Sequence, residues 1–148
     1  MIRIVAKENT FYPKQSTEGS AWFDVFASKT VEVKPGEAKL IPLWVKLLMD
    51  KWECCFVMSR SSMPIKKKCS IPNWIGLIDS DYRGEVHIEV YNFSDESQIF
   101  IKWEKCGQLV FVKHFQDVVQ YSTKEYEDRE NLYKTDRGAW WFWSTGTK

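Results

Sequence analysis

Residues 85–92 read Glu85-Val86-His87-Ile88-Glu89-Val90-Tyr91-Asn92, alternating apolar and polar side chains almost without a break. A period of two places Val86, Ile88 and Val90 on one face of an extended strand, as a half-buried strand requires. Short runs rich in Val, Ile, Phe and Tyr lie on both sides, at 2–6, 21–27, 30–33, 38–43, 53–58, 75–78, 98–101 and 108–114. Turn signals separate them. At Lys34-Pro35-Gly36 the proline presets φ and the glycine supplies a positive one, and a polar turn occupies 92–96. No segment keeps a 3.6-residue period for three turns. Many short strands at close spacing predict an all-β sandwich or barrel.

The 148 residues allow one domain of ordinary size. Lys and Arg number 21 against 20 Asp and Glu, a net charge of +1 that gives no electrostatic case for binding nucleic acid or a membrane surface. The apolar run at 40–48 is interrupted by Pro42 and Lys46 and is too short to span a bilayer. Residues 1–7 form no apolar leader, so a cytoplasmic location is expected. Cys54, Cys55, Cys69 and Cys106 are too scattered for a disulfide framework and lack zinc-like spacing to His87 or His114. They are expected to be reduced and structural. Beyond Tyr121 the chain turns polar, with five charges in residues 123–129. The expected organisation is a β domain over 1–122 and an extended arm over 123–148 that reaches across a surface.

Four segments carry candidate chemistry. Arg60-Ser61-Ser62, at the end of a strand, offers a phosphate a charged fork beside two hydroxyls. Residues 78–84 read Ile78-Asp79-Ser80-Asp81-Tyr82-Arg83-Gly84. In a regular strand the two aspartates would share a face and repel, so a bend at Ser80 or neutralisation by Arg83 is expected. One carboxylate is then free to act as a general base. Gly107-Gln108-Leu109 opens an apolar strand with an amide. Arg137-Gly138, Phe142 and Ser144-Thr145-Gly146 put a cation, a ring and two hydroxyls on the arm, as a closing lid would need. Taken singly, each has an ordinary structural explanation: a surface Arg-Ser pair, a polar hairpin bend, a strand-edge Gln, a disordered tail.

Taken in order, they resemble the five motifs of the trimeric dUTPase family over nearly the whole chain. Ser20-Ala21 with Asp24-Val25 matches the first motif and Arg60-Ser61-Ser62 the second. Residues 76–84 match the third almost letter for letter. Gln108-Leu109 matches the fourth, with Lys105 where the family often has arginine, and the arm matches the fifth. The resemblance implies an all-β, jelly-roll-like homotrimer whose active sites are each built from several subunits. It also implies hydrolysis of dUTP to dUMP and pyrophosphate, with Mg²⁺ held on the triphosphate and no protein metal site. By position, Asp79 would orient and deprotonate the attacking water. Tyr82 would pack under the deoxyribose, and Asn73 with its hairpin backbone would read uracil. Arg60, Ser61, Ser62 and Gln108 would hold phosphates; Arg137, Ser144 and Thr145 would close on the γ-phosphate while Phe142 stacks on the base. A dCTP deaminase of the same fold and a catalytically impaired nucleotide-binding trimer are the alternatives.

One departure recurs. The chain holds eight Trp and seven Gly, although glycine averages about 7% of residues. Trp22, Trp44, Trp52, Trp103, Trp140, Trp141 and Trp143 fall where the family usually has glycine, and Trp74 falls in a hairpin where it often does. Glycine at such places serves turns and positive φ. A tryptophan forced to positive φ adds strain of about 1–3 kcal/mol. Two explanations stay open: UGA codons read as tryptophan where the source organism reads glycine, or a true Trp-rich variant whose arm aromatics form a stacking surface.

Overall fold

A computed structural model describes residues 1–115 and 122–124. The chain divides into two units, Met1–Phe115 and Gln116–Lys148. The arm expected over 123–148, with Arg137, Phe142, Ser144 and Thr145, therefore lies outside the described residues apart from its first two.

The first unit is built almost wholly of antiparallel strands. In chain order they are β1 (Arg3–Ala6), β2 (Phe23–Phe26), β3 (Val31–Val33), β4 (Ala38–Pro42), β5 (Val45–Leu48), β6 (Glu53–Met58), β7 (Cys69–Ser70), β8 (Ile75–Ile78), β9 (His87–Asn92), β10 (Gln98–Phe100) and β11 (Lys105–Lys113). A five-residue helix, α1 (Ser62–Lys66), follows β6. The strands form a four-stranded sheet ordered β2-β11-β6-β8, a three-stranded sheet ordered β4-β9-β7, and the pairs β1-β5 and β3-β10. Every pairing is antiparallel. The all-β, jelly-roll-like fold expected from the sequence is the one observed.

Alternation sets the core. In β9 His87, Glu89 and Tyr91 are exposed while Ile88, Val90 and Asn92 are buried. Ile88 and Val90 join Val25, Val33, Ile41, Leu47, Phe100 and Leu109 in one apolar cluster. The buried polar member, Asn92, is fully used. Its amide donates to the carbonyls of Val33 (2.9 Å) and Glu96 (2.7 Å), and its Oδ1 accepts from Ser94 N (2.9 Å) and Oγ (2.7 Å). That fastens the polar turn after β9 to the core, since a buried amide left unpaired would be costly.

Two strands and the helix were not expected. β5 follows the expected strand at 38–43 after a break at Trp44, β7 has only two residues, and α1 is too short for its period to show. All four cysteines are free and buried, as expected. Burial pushes Cys55 and Cys106 up to about 12 and Cys69 up to about 11, so they stay protonated thiols. No helix among the described residues is long and apolar enough to cross a membrane.

Ile88 is fully buried at the centre of this cluster. Ile88→Ala is expected to cost about 2–5 kcal/mol through the cavity it leaves, read as a lowered urea midpoint with unchanged slope.

Candidate active site

One row runs straight across the four-stranded sheet. Asp24 on β2 faces Gln108 on β11, Gln108 faces Met58 on β6, and Met58 faces Ile75 on β8. The charged member of this row, Asp24, is only 2% exposed. Its Oδ2 accepts from Lys105 Nζ at 2.8 Å and Ser16 Oγ at 2.8 Å, and its Oδ1 accepts from Gln108 Nε2 at 3.3 Å. Arg60 Nε lies 3.6 Å from the same Oδ1, and Arg60 Nη1 donates to the Lys105 carbonyl at 3.5 Å. Burial pushes the Asp24 carboxyl up, but the hydrogen bonds from Lys105, Ser16 and Gln108 outweigh it and hold it below the usual carboxylate value.

Beside this carboxylate opens a cavity of about 220 Å³ that Arg60, Lys66, Lys67 and Lys105 line together with Ser62 and Glu104. Four cations outnumber the two carboxylates that meet them: Asp24 lies beside Arg60 and Lys105, and Glu104 pairs with Lys67 at 3.0 Å. That leaves an excess of positive charge for an anion, and Arg60 brings a fork suited to phosphate. Ser61 is the exposed N-cap of α1 and makes no capping bond with its side chain, so its hydroxyl is not committed to the helix. A second hollow of about 300 Å³, lined by Lys14, Gln15, Ser16 and Phe26, shares Lys105 with the first.

A second group of expected site residues surrounds β8. Asn73 precedes the strand and is exposed, and Asp79 follows it directly, also exposed. The Tyr82 N–H donates to the Asp79 carbonyl at 3.2 Å, so the chain turns at Ser80 and Asp81. This bend, not an ion pair, separates the two aspartates. Arg83 instead donates to the carbonyls of Ser80 (2.6 Å) and Tyr82 (3.0 Å), clamping the turn. Among the described residues the Asp79 carboxylate makes no hydrogen bond or ion pair, which leaves it available to a water or a ligand. Tyr82 donates to the Glu85 carbonyl at 3.1 Å. Its ring closes over Gly84, where any added Cβ would overlap the phenol.

The structure thus gathers Arg60 and Gln108 around Asp24, with Ser62 in the cavity beside Arg60, and places Asp79 and Tyr82 elsewhere. Arg60 and Asn73 lie beyond one end of the β6–β8 ladder, where Met58 pairs with Ile75; Asp79 lies beyond the other, where Cys55 pairs with Ile78. At about 3.3 Å per residue, Asp79 and Arg60 are separated along the strands by well over 10 Å. Asp24 and Ser16 received no site role from the sequence. The signal was there in Asp24, a charged residue inside the otherwise apolar run Phe23-Asp24-Val25-Phe26.

Comparison with known proteins agrees with this geometry. The dUTPase family model matches residues 8–145. A deoxyuridine 5'-triphosphate nucleotidohydrolase of Lactococcus lactis is 41% identical over 106 residues, covering 68% of this chain and 71% of that protein. The enzyme of the same name from Finegoldia magna is 32% identical over 147 residues, covering 98% of each. Among solved structures, the dUTPase of Staphylococcus bacteriophage 80alpha (a G164S mutant with dUpNHpp) superposes with a TM-score of 0.83 at 22% identity, covering 99% of both chains.

Replacing the buried carboxylate leaves Lys105 and Arg60 without their shared counter-charge. Asp24→Asn is expected to cost about 1.5–3 kcal/mol at neutral pH. Because the folded carboxyl titrates below its unfolded value, its stabilisation is present above about pH 4 and is lost as pH falls through the folded value. The deficit of Asp24→Asn in urea melts should therefore shrink towards acid.

Proposed function

The chain belongs to the dUTPase family, and on that premise we propose that it hydrolyses dUTP to dUMP and pyrophosphate in the cytoplasm. The observation that carries this reading is the cationic cavity at Arg60, Ser62 and Lys105, joined through Asp24 to Gln108. It offers a polyphosphate both charge and a fixed fork.

Within the site Asp79 takes the proton of a water whose oxygen bonds to the α-phosphorus. The bond from that phosphorus to the bridging oxygen breaks, and pyrophosphate leaves with the electron pair. Its uncommitted carboxylate suits the task. Arg60, Ser61, Ser62 and Gln108 hold phosphates against the charge that builds on them. Tyr82, pinned by Glu85 and packed on Gly84, presents a rigid ring to the sugar. Asn73 and its hairpin read uracil, because an apolar slot alone would discriminate weakly against cytosine. Arg137, Phe142, Ser144 and Thr145, which lie outside the described residues, complete the site from the arm.

Among the described residues no group of three His, Cys, Asp or Glu side chains is placed to hold a metal ion. Mg²⁺ carried on the substrate's own phosphates would neutralise the charge that develops there.

The separation of Asp79 from Arg60 within one chain supports a homotrimer whose sites combine the two from different protomers. The strand β8, at the edge of its sheet among the described residues, adds to this, because Ile75 (47%) and Leu77 (58%) are exposed on one of its faces.

Pyrophosphate release should occur from dUTP and not from dCTP, dTTP or UTP, and Asp79→Asn should lower kcat about 10²–10⁴-fold. Ammonia from dCTP would instead reassign the site to deamination. Subunit sharing has its own test. Asp79→Asn and Arg60→Ala homotrimers should each be nearly silent, while co-expressed mixtures regain activity at about one site in four. Mixed trimers as silent as the parents would place Asp79 and Arg60 in one protomer's site.

A further inference from the structure

Six described residues occupy the left-handed region of φ: Asn9, Gly36, Trp44, Lys68, Trp74 and Trp103. Three of the five described tryptophans are among them, whereas only a few per cent of non-glycine residues adopt such angles and bulky ones are outliers. The hydrogen bonds show what each position demands. At 101–104 the Glu104 N–H donates to the Ile101 carbonyl at 3.0 Å, with Trp103 third in the turn at φ 72°. The chain builds that turn a second time at 34–37, where Glu37 N–H donates to the Lys34 carbonyl at 3.0 Å and the third residue is Gly36 at φ 69°. A positive φ at that position calls for glycine. Trp74, at φ 64°, is the centre of a three-residue turn closed by Ile75 N–H on the Asn73 carbonyl at 2.7 Å. Trp44, at φ 57°, joins β4 to β5, and its carbonyl accepts from Lys7 N–H at 3.0 Å.

The indoles do little to offset this strain. Trp74 is 87% exposed, and among the described residues no tryptophan N–H donates a hydrogen bond. Trp103 rests on Phe11 at 4.8 Å, and Trp44 lies near Lys7 and Lys102. Trp22 and Trp52 have ordinary φ and are 42% and 45% exposed, so a smaller residue would open no core cavity there.

We propose that all eight tryptophans are glycines in the protein its source cell makes, each encoded by UGA, a codon that one genetic code reads as tryptophan and another as glycine. One codon read two ways yields one replacement residue at every position, whereas independent substitutions would scatter over several residue types. The restored chain has 7 + 8 = 15 glycines and no tryptophan. Positions 44, 74 and 103 rest on backbone geometry. Positions 22 and 52, and 140, 141 and 143 outside the described residues, follow from the single-codon argument alone.

The gene's codons test the proposal without reference to activity, so its failure is separable from failure of the dUTP reading. UGA at all eight positions is expected; UGG at any of them overturns it. Thermal melts of the full chain test the backbone argument. The triple variant Trp44→Gly, Trp74→Gly, Trp103→Gly is expected to melt about 5–10 °C above the chain as written. The pair Trp22→Gly, Trp52→Gly, at ordinary φ, is expected to give no rise. A triple variant that melts at or below the chain as written, or a pair that gains as much, overturns the claim that backbone conformation demands glycine.

Discussion

An aspartate with only 2% of its surface exposed is tolerable only if its charge is met inside the protein, and at Asp24 it is met four times over. Lys105, Ser16, Gln108 and Arg60 converge on its two oxygens from the segment before β2, from β11 and from the loop after β6. The interaction works in both directions. The hydrogen bonds keep the carboxylate ionised, and the carboxylate fixes Arg60 and Lys105 at the wall of the cavity. A cavity lined by four cations would otherwise be a place of mutual repulsion. With Asp24 beneath it, Arg60 and Lys105 are held close while excess positive charge still faces the opening. The antiparallel register of β2, β11 and β6 is what brings the four partners together, so the site depends on the sheet before it depends on any loop.

The same register separates what the chemistry must join. β8 extends past the cationic cavity and delivers Asp79 and Tyr82 at its far end, on a turn clamped by Arg83. Within a single chain the sheet thus sets the cation-lined cavity at Arg60 apart from Asp79 and Tyr82, the two groups of residues that the proposed reaction would have to combine. Closed symmetry is the economical way to unite them, because one contact repeated around an axis creates several identical composite sites.

Much of this was legible in the sequence. The alternation at 85–92 gave β9 and its buried face, and residues 53–58 and 75–78 became β6 and β8 with their ends unchanged. Arg60, Gln108 and Asp79 stood out because a charged or amide group interrupts an apolar strand or closes its end. Asp24 was visible as a matching residue but not as an organiser. Its partners sit at positions 16, 60, 105 and 108, and only pairing across the sheet gathers such distant residues. The role of Arg83 was hidden for a related reason: a guanidinium beside two carboxylates suggests an ion pair, yet the bend turns it towards backbone carbonyls.

The unexpected strand β5 has a different cause, and the break before it falls on a tryptophan. Residues 40–48 read as an apolar run because Trp44 is a good strand former. In the structure Trp44 is the break, at a φ that strand residues do not adopt. Glycine there would have marked the boundary at once. The hairpin at 73–74 shows the same masking. Asn-Gly is among the strongest short-range turn signals, and Asn73-Trp74 conceals it. At 44 and 74 a bulky residue with no turn preference stands where the backbone turns at positive φ. Local preference and global structure usually agree in a natural chain. Conflict at isolated sites is commonly functional, but three of the five described non-glycine residues at positive φ are tryptophan, the others being Asn9 and Lys68. Such a concentration in one bulky residue type has a source outside the fold. The backbone places three of these positions where glycine belongs.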